Sequence, residues 1–162
     1  MCGLDPKDFD IATDATPEQV RKIFKASRII GRRFKLVHVF NRSELIEVAT
    51  FRSGEINSND GELVKDQSGK IIRDNIWGDP DQDTYRRDFT VNALAIRLNG
   101  KEKGELIDNH NGLKDLSNNI LKTPKDPIKT FHDDPLRMLR AIRFSSQLNF
   151  EIDKNDFECI KD

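Results

Sequence analysis

The sequence predicts an α+β fold, and three observations carry that prediction. Phe34 to Phe40 and Leu45 to Arg52 alternate in polarity on either side of the turn Asn41-Arg42-Ser43-Glu44, as a β-hairpin does. Thr16-Pro17-Glu18-Gln19 is a helix start, with Thr16 suited to the N-cap, Pro17 to the first helical position and Gln19 closing a capping box. Asp133 to Phe144, beyond a boundary punctuated by Pro124 and Pro127, has the spacing of an amphipathic helix. Strand, hairpin and helix signals in one chain of 162 residues give a mixed architecture of one domain, or one domain and the start of another.

In chain order, Lys7-Asp8-Phe9-Asp10-Ile11-Ala12-Thr13 reads as a β-strand. Asp8 and Asp10, at i and i+2, stand on one face, and Phe9 and Ile11 are expected to be buried on the other. The helix from Thr16 is expected to bury Val20, Ile23 and Phe24 and to end before Gly31. On the hairpin, Phe34, Leu36, His38 and Phe40 share a face, and Glu47 shares one with Leu45, Ala49 and Phe51. Ser53 to Lys70, rich in Ser, Gly, Asn and Asp, reads as a surface loop. Ile71-Ile72 is a short strand, Gly78-Asp79-Pro80 a turn, and Asp81 to Arg87 a short polar helix. Leu94 to Leu98 and Glu105 to Ile107 form a second hairpin, in which Asn99-Gly100 favours a tight turn. Asn111 to Leu116 is a helical turn and Ile120-Leu121 a last strand. On the helix from Asp133, the apolar side is Leu136, Leu139 and Ile142, flanked by Met138 and Phe144. Asp156 to Asp162 reads as a helix cut in its second turn.

Hydrophobic residues make up 36% of the chain and charged residues 34%, enough for a core under a heavily charged surface. No apolar run approaches the roughly 20 residues that span a bilayer, so no membrane is expected. Cys2 and Cys159 lack metal-ligand spacing, which with the absence of an export signal makes the reducing cytoplasm the expected location. A net charge of -1 neither requires nor excludes nucleic acid.

Four groups of residues carry chemistry. Asp8 and Asp10 either end a strand in solvent or repel until a cation lies between them, and oxygen-only donors suit Mg²⁺. Glu47, on an otherwise apolar strand face, meets either a cation or hydrogen-bond donors, or reaches water at a sheet edge. Arg86-Arg87-Asp88 is either a solvated helix end or a triphosphate clamp through guanidinium contacts, with the aspartate on a metal or ribose. Asp134 and Arg137, at i and i+3, are either an intrahelical ion pair or a paired acceptor and donor for a base edge.

Together these pieces resemble the bacterial family that contains poly(A) polymerase and the CCA-adding tRNA nucleotidyltransferases. Lys7 to Thr13 is similar to the family's metal-binding DxD motif, and Ile46-Glu47-Val48-Ala49-Thr50-Phe51-Arg52 to its neighbouring carboxylate strand. Arg86-Arg87-Asp88-Phe89-Thr90 resembles the RRD motif, and Asp133-Asp134-Pro135-Leu136-Arg137 the base-reading E-D-x-x-R motif, with Asp133 in place of Glu. Arg140-Ala141-Ile142-Arg143-Phe144 continues that helix. The runs Ile29 to Val39 and Ile72 to Gly78 resemble the poly(A) polymerase branch.

The resemblance implies a nucleotidyltransferase head like that of DNA polymerase β, with a mixed or antiparallel sheet and flanking helices. Residues 1–124 would form the head and 125–162 the start of a helical neck that holds RNA. It implies template-independent transfer of AMP from ATP to an RNA 3′ end, with Asp8 and Asp10 holding two Mg²⁺ ions. Glu47 or Asp88 would complete the metal site, Arg87, with or without Arg86, would steady the triphosphate, and Asp134 and Arg137 would read adenine. The family's G-G-x-V-R-D segment is not found before the DxD motif, and Asn111-Gly112 stands where two glycines are usual. The chain is therefore expected to be incomplete at both ends and, on its own, to make little or no processive tail. CCA addition is the alternative within the family. A truncated, non-catalytic remnant is the alternative outside it.

Overall fold

The structure, a computed structural model, describes residues 8–31, 34–53, 63–65, 71–74 and 77–161. The chain forms two compact units, Met1–Val64 with Ile72–Pro80, and Lys65–Ile71 with Asp81–Asp162.

The first unit is built on a four-stranded sheet of β1 (Phe9–Thr13), β2 (Ser27–Ile30), β3 (Leu36–Asn41) and β4 (Glu44–Thr50), in the order β1-β4-β3-β2. A two-residue connection, with Arg42 at φ 55, makes β3 and β4 the expected antiparallel hairpin. β2 pairs antiparallel with β3, whereas β1 pairs with β4 in parallel, so the sheet is mixed. Helix α1 (Pro17–Ile23) starts with the expected capping box: Thr16 Oγ1 accepts from Gln19 N, and Gln19 Oε1 accepts from Thr16 N.

The core of this unit is Val20, Val37, Val39 and Val48, packed with Ile11, Ala15, Ile29 and Ile46. Three expectations change here. Val20 is buried, but Ile23 and Phe24 are exposed, because the helix stops at Ile23 and Phe24 caps it in an extended conformation. Ser27-Arg28-Ile29-Ile30 is a strand of its own, as its adjacent β-branched residues favour once β3 is available to pair. Ile11 packs on the core, whereas Phe9, the first residue of an edge strand, is 62% exposed.

Beyond the sheet, β5 (Leu63–Lys65) pairs with β6 (Ile71–Asp74). β6 falls where a strand was expected. β5 interrupts the expected loop, since two adjacent aliphatic residues with a partner strand suffice for a short ladder. The remainder of that loop, residues 54–62 and 66–70, lies outside the described residues. So do Arg32, Arg33, Asn75 and Ile76 of the two runs that resemble the poly(A) polymerase branch, and Lys7 of the first motif.

The second unit contains α2 (Pro80–Tyr85) from Asp81 onward, a 3₁₀ turn (Thr90–Asn92), β7 (Ala95–Ile96), β8 (Leu106–Ile107), α3 (Gly112–Ser117), β9 (Ile120–Leu121), α4 (Pro127–Asp133), α5 (Leu136–Leu148), β10 (Glu151–Ile152) and α6 (Lys154–Lys161). β7 and β8 are the expected second hairpin, but their turn is not tight. Gly104 N donates to Arg97 O, so the connection runs from Leu98 to Lys103, with Gly100 and Gly104 at φ 76 and 92. Helix α3 is capped by Asp108, whose two oxygens accept from Gly112 N and Leu113 N. A Cβ on Gly112 would collide with the Thr90 carbonyl oxygen.

The single helix expected from Asp133 is two. Asp126 caps α4 with Pro127 in its first turn, Asp133 ends it, and Asp134 is its extended C-cap. Pro135 has no N–H to continue the ladder, so α5 starts at Leu136. The buried side of α5 also differs from the expected one. Ala141, Phe144 and Leu148 pack on Phe89, Leu121 and Phe150, while Leu136, Leu139 and Ile142 are 52%, 64% and 54% exposed. Both stripes are apolar at helical spacing, and only the partner surface decides between them. Thr123 and α6 are tied by Asp156, which is 2% exposed; its Oδ2 accepts from Thr123 N at 2.6 Å, and its Oδ1 lies 3.1 Å from Thr123 Oγ1. Among the described residues, no helix is long and apolar enough to cross a membrane.

Candidate active site

The carboxylate face belongs to the first unit. Alternation along β1 puts Ile11 toward the core and Asp8, Asp10 and Ala12 on the opposite side. Parallel pairing then sets Asp10 directly against Glu47 of β4, and antiparallel pairing sets Glu47 against His38 of β3 and His38 against Arg28 of β2. Asp10, Glu47, His38 and Arg28 thus form one row across the four strands. Asp8 and Asp10 are exposed. Glu47 is part-exposed, its side chain 45% accessible, and its Oε1 lies 3.1 Å from Nε2 of His38. The structure therefore brings Asp10 and Glu47 together from distant parts of the chain.

Neighbouring carboxylate oxygens on an open face suit a hard cation such as Mg²⁺. Among the described residues, no three His, Cys, Asp or Glu side chains are gathered into a ready-made coordination sphere. The donors fit the ion in kind and in strand register.

The remaining predicted residues belong to the second unit. Arg87 is paired with Asp83, its Nη2 2.8 Å and its Nε 3.2 Å from Asp83 Oδ2, one turn apart. Asp88 is buried with its oxygens taken: Oδ1 accepts from Phe89 N at 2.9 Å and Asn92 Nδ2 at 3.1 Å, and Oδ2 accepts from Arg140 Nε at 2.6 Å. Asp134 Oδ1 accepts from Leu136 N at 3.3 Å. Arg137 donates from Nη2 to the Arg86 carbonyl at 2.9 Å and from Nη1 to the Thr130 carbonyl at 3.4 Å. Burial lowers the Arg137 pKa; the carboxylates of Asp88, Asp134 and Asp133 oppose this, and Arg140 adds to it. Asp133 itself accepts from Lys125 Nζ at 2.8 Å.

Arg137 and Arg140, one turn apart on α5, thus hold the backbone of Arg86 and the side chain of Asp88. The guanidinium of Arg140 also lies 4.9 Å over the Phe144 ring, which meets Phe89 edge-on. Sequence reasoning assigned no role to Arg140, Asn92, Asp83 or His38. The i,i+4 spacing of Asp83 and Arg87 was a readable signal. Asn92, four residues after Asp88, carried the same signal, and His38 faces Glu47 through the register of the β3–β4 hairpin; of the four, Arg140 alone acts through a contact that no local spacing announces. A separate open hollow of about 430 Å³ is lined by Asp81, Gln82, Tyr85, Asn109 and His110, none of them a predicted site residue.

A mixed sheet with flanking helices and a carboxylate-bearing β1–β4 pair defines a nucleotidyltransferase head, and the known structures agree. The chain superimposes on the crystal structure of Bacillus stearothermophilus CCA-adding enzyme in complex with CTP with a TM-score of 0.78 and 31% identity, covering 98% of this chain and 35% of that one. The family model for the poly(A) polymerase head domain matches residues 1–122, so the chain belongs to that family. Poly(A) polymerase I of Escherichia coli O6:H1 is 42% identical over 162 residues, 99% of this chain and 34% of its own length. The CCA-adding enzyme of Lactobacillus helveticus is 39% identical over 155 residues, 96% of this chain and 36% of its own length. The chain spans about a third of the length of the curated relatives it matches.

Proposed function

We propose that the chain carries the transfer site of a template-independent RNA adenylyltransferase, which adds AMP from ATP to RNA 3′ ends in the reducing cytoplasm. The observation that carries this reading is the register of Asp10 against Glu47, with Asp8 two residues before it on the same strand face. Asp8, Asp10 and Glu47 would hold Mg²⁺. When bound, a pair of such ions lowers the pKa of the attacking hydroxyl and offsets charge on the phosphates. Glu47 is favoured over Asp88 as the third carboxylate because Asp88 already accepts three hydrogen bonds inside its own unit.

The other residues bind and orient. Arg87, whose side chain is 43% accessible in its pair with Asp83, can turn its guanidinium to the triphosphate. Asp134 can accept from the exocyclic amine of adenine. Arg137 uses two N–H groups on carbonyls, which fixes its plane and leaves further donors for a ring nitrogen. The RNA 3′ oxygen bonds to the α-phosphorus while the bond to the bridging oxygen breaks and pyrophosphate leaves.

CCA addition is the second reading, favoured by the superposition on the CTP-bound CCA-adding enzyme. Extension of an end-labelled RNA by single nucleotides, with ATP or CTP and Mg²⁺, separates the readings. Adenylate addition that disappears in Asp10→Ala is expected. Addition of C before A would establish the second reading. No addition of either nucleotide would favour the non-catalytic alternative.

A further inference from the structure

Glu47 is tied on one side only. Its Oε1 meets His38 Nε2 at 3.1 Å, and among the described residues its Oε2 has no protein partner. His38 is directly opposite Glu47 on one side of β4, and Asp10 is directly opposite it on the other. The imidazole is mostly buried, its side chain 20% accessible against 45% for Glu47, so the donor is held more firmly than the carboxylate it serves. Side chains in such cross-strand positions lie close enough to interact, and two carboxylates there repel. A flexible glutamate beside an aspartate would turn away into solvent unless something fixed it.

We infer that His38 is a positioning residue for the candidate metal site: its Nε2–H holds Oε1 of Glu47 and leaves Oε2 for a divalent cation shared with Asp10. This rests on the proposed reading of Asp8, Asp10 and Glu47 as metal ligands. Carboxylate ligands are commonly oriented by such outer hydrogen bonds, and loss of one typically weakens metal binding about 10- to 100-fold. A sheet-stabilising His–Glu pair with no link to the cation would change stability and leave metal affinity alone.

Mn²⁺ serves as the probe, its affinity for the chain read from the electron paramagnetic resonance signal of the free ion. His38→Ala is expected to weaken binding about 10-fold or more. His38→Gln, whose Nε2 amide can donate from nearly the same place, should restore most of it. Glu47→Gln should weaken binding at least as much, and adding His38→Ala to it should cost little more, because both act through one carboxylate. Wild-type affinity in His38→Ala, tighter binding, or full additivity with Glu47→Gln would overturn the inference while leaving the ligand reading intact. If Asp10→Asn and Glu47→Gln both bind Mn²⁺ like wild type, the ligand reading falls and the inference with it. Circular dichroism of each variant separates lost binding from lost folding.

Discussion

A hydroxyl has one proton to give, and at Thr123 two oxygens claim it. Oγ1 lies 2.7 Å from the Lys125 carbonyl and 3.1 Å from Asp156 Oδ1. With that proton drawn to the nearer carbonyl, Oγ1 donates only weakly to Asp156 Oδ1, and the buried carboxylate gains little from it against the cost of its burial. Burial raises the Asp156 pKa from 3.8 to about 6, against the opposing pull of the Thr123 hydrogen bonds. Below 3.8 the group is protonated in both folded and unfolded chains and contributes nothing to the pH dependence. Between there and about 6 the unfolded chain releases its proton first, so stability falls as pH rises, and above 6 the penalty is complete. Asp156→Asn, which keeps the acceptor for Thr123 N and supplies a fixed donor, should therefore raise the thermal midpoint at pH 8 and lose that advantage by pH 4. An equal shift at both pH values would contradict this. At Gly112, the adjacent Asn111-Gly112 pair was noticed in the sequence as a departure, but the cause was not visible there. Asn111 takes φ 60, and Gly112 packs where a Cβ would strike the Thr90 carbonyl. Gly112→Ala should destabilise the fold by about 1–3 kcal/mol in denaturant unfolding.

At the scale of elements, what could be read was what is encoded locally. The capping box at Thr16, the β3–β4 hairpin and α3 follow from neighbouring residues, and all three formed as expected. Thr16→Ala should accordingly lower stability by about 1 kcal/mol. What depends on a distant partner was not readable: β2 exists because β3 pairs with it, and α5 buries Ala141 rather than Leu139 because Phe89 and Leu121 lie on that side. The ion pair between Arg140 and Asp88 is of the same kind. Arg140→Ala would leave a buried carboxylate with only Phe89 N and Asn92 Nδ2, and should lower stability by about 1–3 kcal/mol, with partial recovery in Arg140→Lys. If that segment binds the triphosphate, Arg140→Ala should also weaken ATP binding in a calorimetric titration.

For the molecule as a whole, the ordered motifs identified the family, and the head-domain match and the curated relatives agree with it. The carboxylates were legible as residue types on strands. Their row was not, because the register of β1 against β4 joins segments separated by a helix and two further strands. The central claim is that this row is where a divalent cation binds. Mn²⁺-induced broadening of backbone amide signals, followed by NMR at substoichiometric metal, tests it most directly. The account predicts that Asp10 and Glu47 broaden first and that Asp10→Asn removes the effect. Broadening centred instead on Asp81 and Asp108, or unchanged by Asp10→Asn, would contradict it.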